Sequence, residues 1–280
     1  PLFEVIKLAE SPPEPFPAGD RPLAGVRVLD LTRVLAGPTC ARTLAEHGAD
    51  VLKINAAHLP DSGSLEMDTG IGKRAAFLDL RRPEDVATLP GLARTCDVFS
   101  QSYRPGALAT RGFAPEALAA LRPGIVCVTL SAFSHAGPWS ARRGFDTVVQ
   151  SVSGIADKEG GGEEPRVMPC SAIDYVSGYL MAFGALIALG RRAVEGGSYL
   201  VRVSLVQTGH WIIQQGQVDH GLVARLPEEL PEDELARLVT ETDTPFGRLR
   251  HLRPVVELSE TPPYWARPPV PLGTHAPLWS

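Results

Sequence analysis

Cysteine is sparse and unpatterned in this chain of 280 residues: Cys40, Cys96, Cys127 and Cys170 stand far apart, with no CxxC spacing. Such scatter argues against a zinc-ribbon ligand set and a disulfide scaffold, and it predicts reduced thiols, no metal site and a cytoplasmic protein. Runs of basic residues are lacking too, and 27 Lys and Arg against 32 Asp and Glu leave a formal net charge of -5. No basic face is available for nucleic acid, so none is expected as a partner, and a polyanionic ligand would need local cationic help. The most apolar stretch, Tyr175 to Leu189, falls short of the roughly 18 apolar residues of a membrane span. It is also interrupted by Ser177, Gly178 and Gly184, and it reads as a buried helix with no membrane role. At the chain start no charged n-region precedes an apolar h-region, so secretion is not expected. A GxGxxG fingerprint is missing, and Asn55 instead of an acidic residue ends the second strand, which weakens a nicotinamide-cofactor reading.

What is present is alternation. Hydrophobic residues form 44% of the chain, enough for one large core. After a Pro-rich stretch, SPPEPFPAGDRP, VRVLDLT (Val26 to Thr32) reads as a strand rich in branched aliphatics. Pro38 then opens a helix that runs to about His47, Gly48 stops it, and ADVLKI (Ala49 to Ile54) is the next strand. The pattern continues through AAFLDL (Ala75 to Leu80), a helix in RRPEDVATL, CDVFSQS (Cys96 to Ser102), a helix in PEALAAL and the strand GIVCVTLSAF. These units predict an α/β fold, an open, doubly wound, mainly parallel sheet, with ligands at the C-terminal ends of its strands. Thr32 to Gly37, Gln101 to Gly106 and Ser131 to Gly137 are the loops at those ends.

Further along come a helix or turn around Phe145 to Ile155, a GGGEEP insert, a long apolar helix from about Asp174 to Arg192, and the strand candidate SYLVRVSLVQT. The segment from Ala224 to Asp243 is acidic, with helical signals in PEDELARLV, and the Pro-rich tail beyond it reads as extended. Four segments follow: a linker over 1-22, an α/β domain over 23-215, a short segment over 216-250 and an extended strap over 251-280. Opening at Pro1 in Pro-rich sequence resembles an inter-domain linker more than a natural start, which fits either a piece of a longer protein or a cleaved Met before Pro1.

Two features carry chemistry on their own terms. The turn between VLDLT and its helix offers backbone N–H groups and a helix N-terminus to a phosphate. Asp174 opens a long apolar helix, where a carboxylate is favoured by the free N–H groups and the dipole, so its plain reading is a capping residue.

Several motifs in sequence order resemble the class III coenzyme A transferases, the CaiB/BaiF family of the formyl-CoA and carnitine-CoA transferases. They are PLAGVRVLDLTRVLAGP with ADVLKI, GKRAAFLDL, CDVFSQSYRPGALATRGF and SAIDYVSGYLMAFGALIAL, and the resemblance runs from about Leu23 to Gln207. It implies a Rossmann-like large domain and makes Asp174 the nucleophile. That residue would attack an acyl-CoA thioester, form a mixed anhydride and then an aspartyl-CoA thioester, and pass coenzyme A to a second carboxylate. It also implies that Arg33, Val34, Leu35 and Ala36 line the coenzyme A site, with Lys73, Arg74, Ser102 and Tyr103 close to the nucleotide and pantetheine. Gly137 and Gly178 become candidate donors to an oxyanion. No permanently bound cofactor is implied: coenzyme A is a substrate, its partner is a small carboxylic acid, and the family's assembly is an interlocked homodimer.

The chain also departs from that pattern. Asn55 and Ala56 stand where the family has an acidic residue and Arg, and the basic residue after GALA falls at Arg111, with Thr110 in the family's position. Only a short run between Gln207 and Arg248 stands where the family carries a sizeable second domain. Related α-methylacyl-CoA racemases use a His-Asp pair before this helix, but here GFDTVVQ puts Phe145 in the histidine's place and keeps Asp146. Phe145 cannot shuttle a proton. Transferase is therefore the first expectation, racemase the alternative among enzymes, and a non-catalytic coenzyme A-binding subunit or fragment the alternative outside them.

Overall fold

The computed structural model describes residues 1–60, 62–223, 225–227 and 229–279. Ala224 and Ser280, which bound two of the segments delimited above, lie outside the described residues. In chain order the elements begin with β1 (Phe3–Ala9), β2 (Arg27–Leu31), α1 (Ala36–Glu46), β3 (Asp50–Asn55), α2 (Ser64–Thr69), β4 (Lys73–Phe77), α3 (Pro83–Ala93) and β5 (Val98–Gln101). They continue with α4 (Pro115–Leu121), β6 (Val126–Ser131), α5 (Asp146–Ser153), α6 (Ile155–Glu159), α7 (Ala172–Glu195), β7 (Ser198–Ser204) and α8 (Leu205–Gln214). Last come α9 (His220–Val223), α10 (Glu232–Leu238), β8 (Val239–Thr244) and β9 (Gly247–Leu252).

Seven strands form one sheet in the order β1-β7-β6-β5-β2-β3-β4, parallel throughout except for β1, which runs antiparallel to β7. The strict alternation of side chains along each strand divides the core into two. Val28, Val51, Val98, Val126 and Val201 face α1 and α7, where Cys40, Leu44, Met181, Ala185 and Leu189 meet them. Leu29, Leu52, Phe99, Cys127 and Leu200 face the other way, against Leu89 and Leu92 of α3 and Leu118 of α4. Both faces are covered, which is why these strands read as nearly continuous apolar runs.

Helix α7 is longer than the apolar stretch suggests: its length and composition suit a membrane crossing, yet it is a core helix with one face fully packed on α1 and the sheet. Its approach to α1 depends on Gly178, where a Cβ would lie 2.5 Å from the Ala36 carbonyl oxygen and 2.7 Å from the Thr39 Cβ. Gly178 is therefore a packing residue between the two helices.

Several sequence expectations need correction. The Pro-rich linker over 1-22 holds β1, because Phe3, Val5 and Ile6 supply enough apolar surface to pair with the sheet edge left open by β7. AAFLDL shifts to Lys73–Phe77, and SYLVRVSLVQT is a strand only to Ser204, after which Leu205 starts α8. The hairpin of β8 and β9 was not foreseen. Residues beyond β9 run along the opposite edge of the sheet: His275 N–H donates to the Ala75 carbonyl (2.8 Å), the Ala75 N–H reaches His275 Nδ1 (3.2 Å), and Trp279 Nε1 donates to Leu92 (3.2 Å).

One buried ion pair sits where β2, β4 and α1 meet. Lys73 Nζ donates to Asp30 Oδ2 (2.8 Å) and to the Pro38 carbonyl (2.8 Å), while Asp30 Oδ1 accepts from the backbone N–H (2.9 Å) and the hydroxyl of Thr32. Both side chains are almost fully excluded from water. Removing one partner strands the other charge, so Lys73→Met should lower unfolding stability by about 3–5 kcal/mol in a urea titration. A loss below about 1 kcal/mol would show that the pair does not hold this part of the fold together.

Candidate active site

Three loops that follow β2, β5 and β6 converge on a cavity of about 420 Å3 at the C-terminal end of the sheet. The first runs into α1. In it Val34 holds φ at 70°, a conformation that costs a β-branched side chain of order 1–3 kcal/mol and that persists only where surrounding contacts enforce it. Asp30 and Lys73 supply such contacts on either side, through Thr32 and Pro38. The Arg33 N–H lies 3.4 Å from the Ser102 hydroxyl of the second loop, and the Arg33 guanidinium donates to the Pro60 carbonyl (2.8 Å).

Arg33, Val34, Leu35, Ala36, Ser102, Tyr103 and Asp174 all line this one cavity. Lys73 and Arg74 do not, which corrects their expected place beside a nucleotide. Lys73 is committed to Asp30 in the core, where burial pulls its ammonium below the ordinary lysine value. Arg74 bonds Asp50 (3.0 Å) and the Leu278 carbonyl (2.8 Å). Adjacent residues in a strand point to opposite faces, and here both faces are interior. Gly137 also lies outside the cavity lining, and Gly178 is spent on helix packing.

Asp174 is the third residue of α7 and only 7% exposed. Its carboxylate is not used as a cap: Ser171 holds that position, and among the described residues no group donates to the Asp174 side chain. What holds Asp174 is its own backbone N–H, which donates to Asp146 Oδ2 (3.0 Å). Asp146 in turn accepts from Gln150 Nε2, and Gln150 Oε1 accepts from the Met168 N–H (2.7 Å). Burial first, and the neighbouring Asp146 charge second, raise the Asp174 carboxyl from 3.8 to about 7. A carboxyl poised near neutrality, without protein partners and facing a cavity, is free to react.

Positive charge lines the same cavity. Arg104 on the second loop, and Arg142 and Arg143 before α5, line the cavity together with Arg33. The sequence reading missed these three, although YRPG and ARRG both place Arg next to or near Gly in loops after strands. Helix α1 also begins here, and its N-terminus favours negative charge, whereas the first turn of α7 already spends its Asp174 N–H on Asp146. Phe145 stands at the cavity wall, 58% exposed, and no imidazole lines the cavity. The proton-exchange pair of a racemase therefore lacks one base.

Fold and site together define an α/β protein that presents a buried carboxyl to a cleft lined by arginines. The chain belongs to CoA-transferase family III, whose family model matches residues 23–236. It is similar to the acetyl-coenzyme A transferase nodX of Hypoxylon pulicicidum, 36% identical over 201 residues that cover 69% of this chain and 34% of the relative. The succinyl-CoA:glutarate CoA-transferase of Homo sapiens is 31% identical over 180 residues, covering 60% of this chain and 41% of the relative. The succinyl-CoA--L-malate CoA-transferase alpha subunit of Chloroflexus aurantiacus is 29% identical over 222 residues, covering 74% and 52%. This chain thus spans a third to about half the length of those curated relatives. Among solved structures, the hypothetical protein Rv3272 from Mycobacterium tuberculosis superposes with a TM-score of 0.76 at 20% identity, covering 92% of this chain and 98% of that one. A CAIB/BAIF family protein from Brucella suis gives 0.64 at 23% identity, covering 81% and 65%. These likenesses show the fold.

The raised Asp174 carboxyl has a sign that can be read in stability. The fold favours the protonated form, so that contribution is complete below about pH 4 and is lost as pH rises through about 7. Asp174→Asn, neutral at every pH, should unfold at higher urea than the parent at pH 8, by on the order of 2–4 kcal/mol, with little difference at pH 4. The same difference at both pH values would mean that burial does not shift this group.

Proposed function

We propose that this chain moves coenzyme A between an acyl-CoA thioester and a carboxylic acid, with Asp174 as nucleophile. The observation that carries this reading is the Asp174 carboxyl itself, which is buried, held only through its backbone, and open to a cleft edged by Arg33, Arg104, Arg142 and Arg143. The names of the relatives, all CoA-transferases, support the same reaction class.

In this scheme the ionised Asp174 attacks the thioester carbonyl, the C–S bond breaks, and coenzyme A leaves as a thiolate from a mixed anhydride. The thiolate then attacks the aspartyl carbonyl, releasing the donor carboxylate and leaving an aspartyl-CoA thioester. An acceptor carboxylate attacks that carbonyl, giving a second anhydride and the thiolate again. Attack of the thiolate on the acceptor's acyl carbon yields the new acyl-CoA and restores Asp174. Each step exchanges one acyl bond for another, and no redox partner is needed. Thiolate and oxyanion both gain from the N-terminus of α1, whose backbone lies at the cavity's edge. Arg33 and Arg104, on the loops beside Ser102 and Tyr103, are the groups we assign to the phosphates of coenzyme A.

We further propose that the active form is a homodimer. The outward face of α7 carries Val176, Phe183 and Ile187 with no charge between them, and Phe183 is 55% exposed although its ring meets Phe3 edge-on at 5.7 Å. A stripe of that composition calls for a cover. Light scattering should report twice the chain mass, and Phe183→Lys should shift it to the monomer; a monomeric parent chain would remove this part of the proposal.

Incubation with short acyl-CoA thioesters should leave an adduct on Asp174, located by hydroxylamine trapping and intact-protein mass spectrometry. Asp174→Ala should lose adduct and transfer while keeping the fold by circular dichroism. Full turnover by that variant would reject the nucleophile. The dependence of turnover on pH should rise through about 7, because the ionised form attacks.

A further inference from the structure

Gln150 on α5 is 1% exposed and does not line the cavity, so protein partners alone account for its place. Its Oε1 accepts from the Met168 N–H (2.7 Å), and its Nε2 donates to Asp146 Oδ1, one turn earlier on the same helix face. A carboxamide can be turned end for end, but only one orientation works here. A backbone N–H can only donate, so it must meet the oxygen end, which leaves the amide's N–H donors for the carboxylate. Turning the amide would set N–H against N–H and oxygen against oxygen at two buried contacts.

Asp146 is 4% exposed and is likewise absent from the cavity lining. Both of its oxygens meet donors, Oδ1 the Gln150 amide and Oδ2 the Asp174 N–H (3.0 Å), so the fold uses it purely as an acceptor. The Asp174 N–H belongs to the first turn of α7, where no helix carbonyl is available to it. Gln150 therefore grips the entry to α7 at two points, Met168 directly and Asp174 through Asp146. Met168 also packs against the core, so one end of this grip is anchored and the other carries the reactive carboxyl.

We infer that Gln150 is a positioning residue for Asp174: by donating to Asp146 it holds the carboxylate that holds the Asp174 backbone, and so fixes where the reactive carboxyl sits in the cleft. The consequence for turnover rests on the transferase reading, whereas the positioning itself can be measured without any reaction. The plain alternative is that Gln150 only ties Met168 to α5. Two substitutions separate these roles. Gln150→Met keeps the length of the side chain and removes both bonds. Gln150→Glu keeps an acceptor for Met168, but it offers Asp146 a donor only while the new carboxyl is protonated; once ionised, it sets like charges together. Among the described residues Asp146 is the one charged side chain that Gln150 bonds, and the cavity beyond adds Asp174 with Arg33, Arg104, Arg142 and Arg143.

The test is hydrogen exchange of the Asp174 N–H in the full chain, followed by NMR with nitrogen-labelled aspartate. The Asp97 N–H, bonded to the Arg27 carbonyl (2.9 Å) at the other end of the sheet, serves as the control. Gln150→Met should speed exchange at Asp174 about tenfold or more while Asp97 stays within about threefold of the parent. Gln150→Glu should exchange about tenfold faster than the parent at pH 8 and approach it at pH 5. In turnover with acetyl-CoA and succinyl-CoA, Gln150→Met should lower kcat about ten- to a hundredfold and leave the KM for the thioester within about threefold. Unchanged exchange at Asp174 in Gln150→Met overturns the inference, as does equal acceleration at Asp97, which would mean general loosening. An active chain whose kcat is untouched while Asp174 exchanges faster also overturns it. A Gln150→Glu protein that equals the parent at both pH values overturns it in favour of the tie to Met168. Faster exchange at Asp174 in a chain that forms no adduct with either thioester leaves the positioning role standing and sinks the transferase reading instead.

Discussion

Two opposite charges, Lys73 and Asp30, are held out of water where the first parallel strands meet the first helix, and the loop of the cleft hangs from them. Asp30 fixes Thr32 on one side of that loop and Lys73 fixes the Pro38 carbonyl on the other. Between these anchors the chain must turn within a few residues, which forces Val34 into a left-handed conformation and brings Leu35 and Ala36 to the start of α1 with their backbone facing the cavity. Desolvating two charges is costly, and a hydrophobic pair of the same shape would often hold a core as well. What an apolar pair cannot do is bond a backbone N–H and a carbonyl at the same time. The ion pair therefore acts as a positioning device for the loop as much as a source of stability.

The site itself is built on an electrostatic contrast. Burial and Asp146 hold Asp174 close to its neutral form, whereas the arginines lining the cavity and the N-terminus of α1 favour anions. An incoming polyanion neutralises the arginines and removes water from the cleft, and both effects push the carboxyl further toward its protonated form. Asp146 touches Asp174 only through the backbone, so it aligns the nucleophile without occupying either of its oxygen atoms.

The parallel sheet was legible because its strands are apolar on both faces and their helices end at glycines such as Gly48. Placement of the cleft followed from the same alternation, since the loops after β2, β5 and β6 necessarily gather at one end. Asp174 was named by the motif around it; its position alone suggested a cap. Elements at the margins were harder to read. VTETDT and GRLRHL of the hairpin are largely polar, and their pairing does not depend on an apolar pattern. Strand β1 was hidden by the prolines that follow it. Lys73 and Arg74 were misplaced for a different reason: a basic pair next to a strand looks solvent-facing, and only the fold shows an acid waiting for each of them inside, Asp30 and Asp50. Arg142 and Arg143 went unnoticed because exposed arginines carry no pattern until a cavity is seen between them.

Both margins of the large sheet are closed by residues remote in sequence. Strand β1 pairs with β7, near Val203, and β4 is covered by the run around His275, which is 200 residues from Ala75. Contacts of such span form late, because a long loop must close before they repay its entropy. During synthesis, therefore, the central strands assemble while two sheet margins stay open, one until β7 leaves the ribosome and the other until the run around His275 does. In that interval the growing chain offers other chains unpaired strand backbone, and protection from aggregation falls to chaperones or to speed.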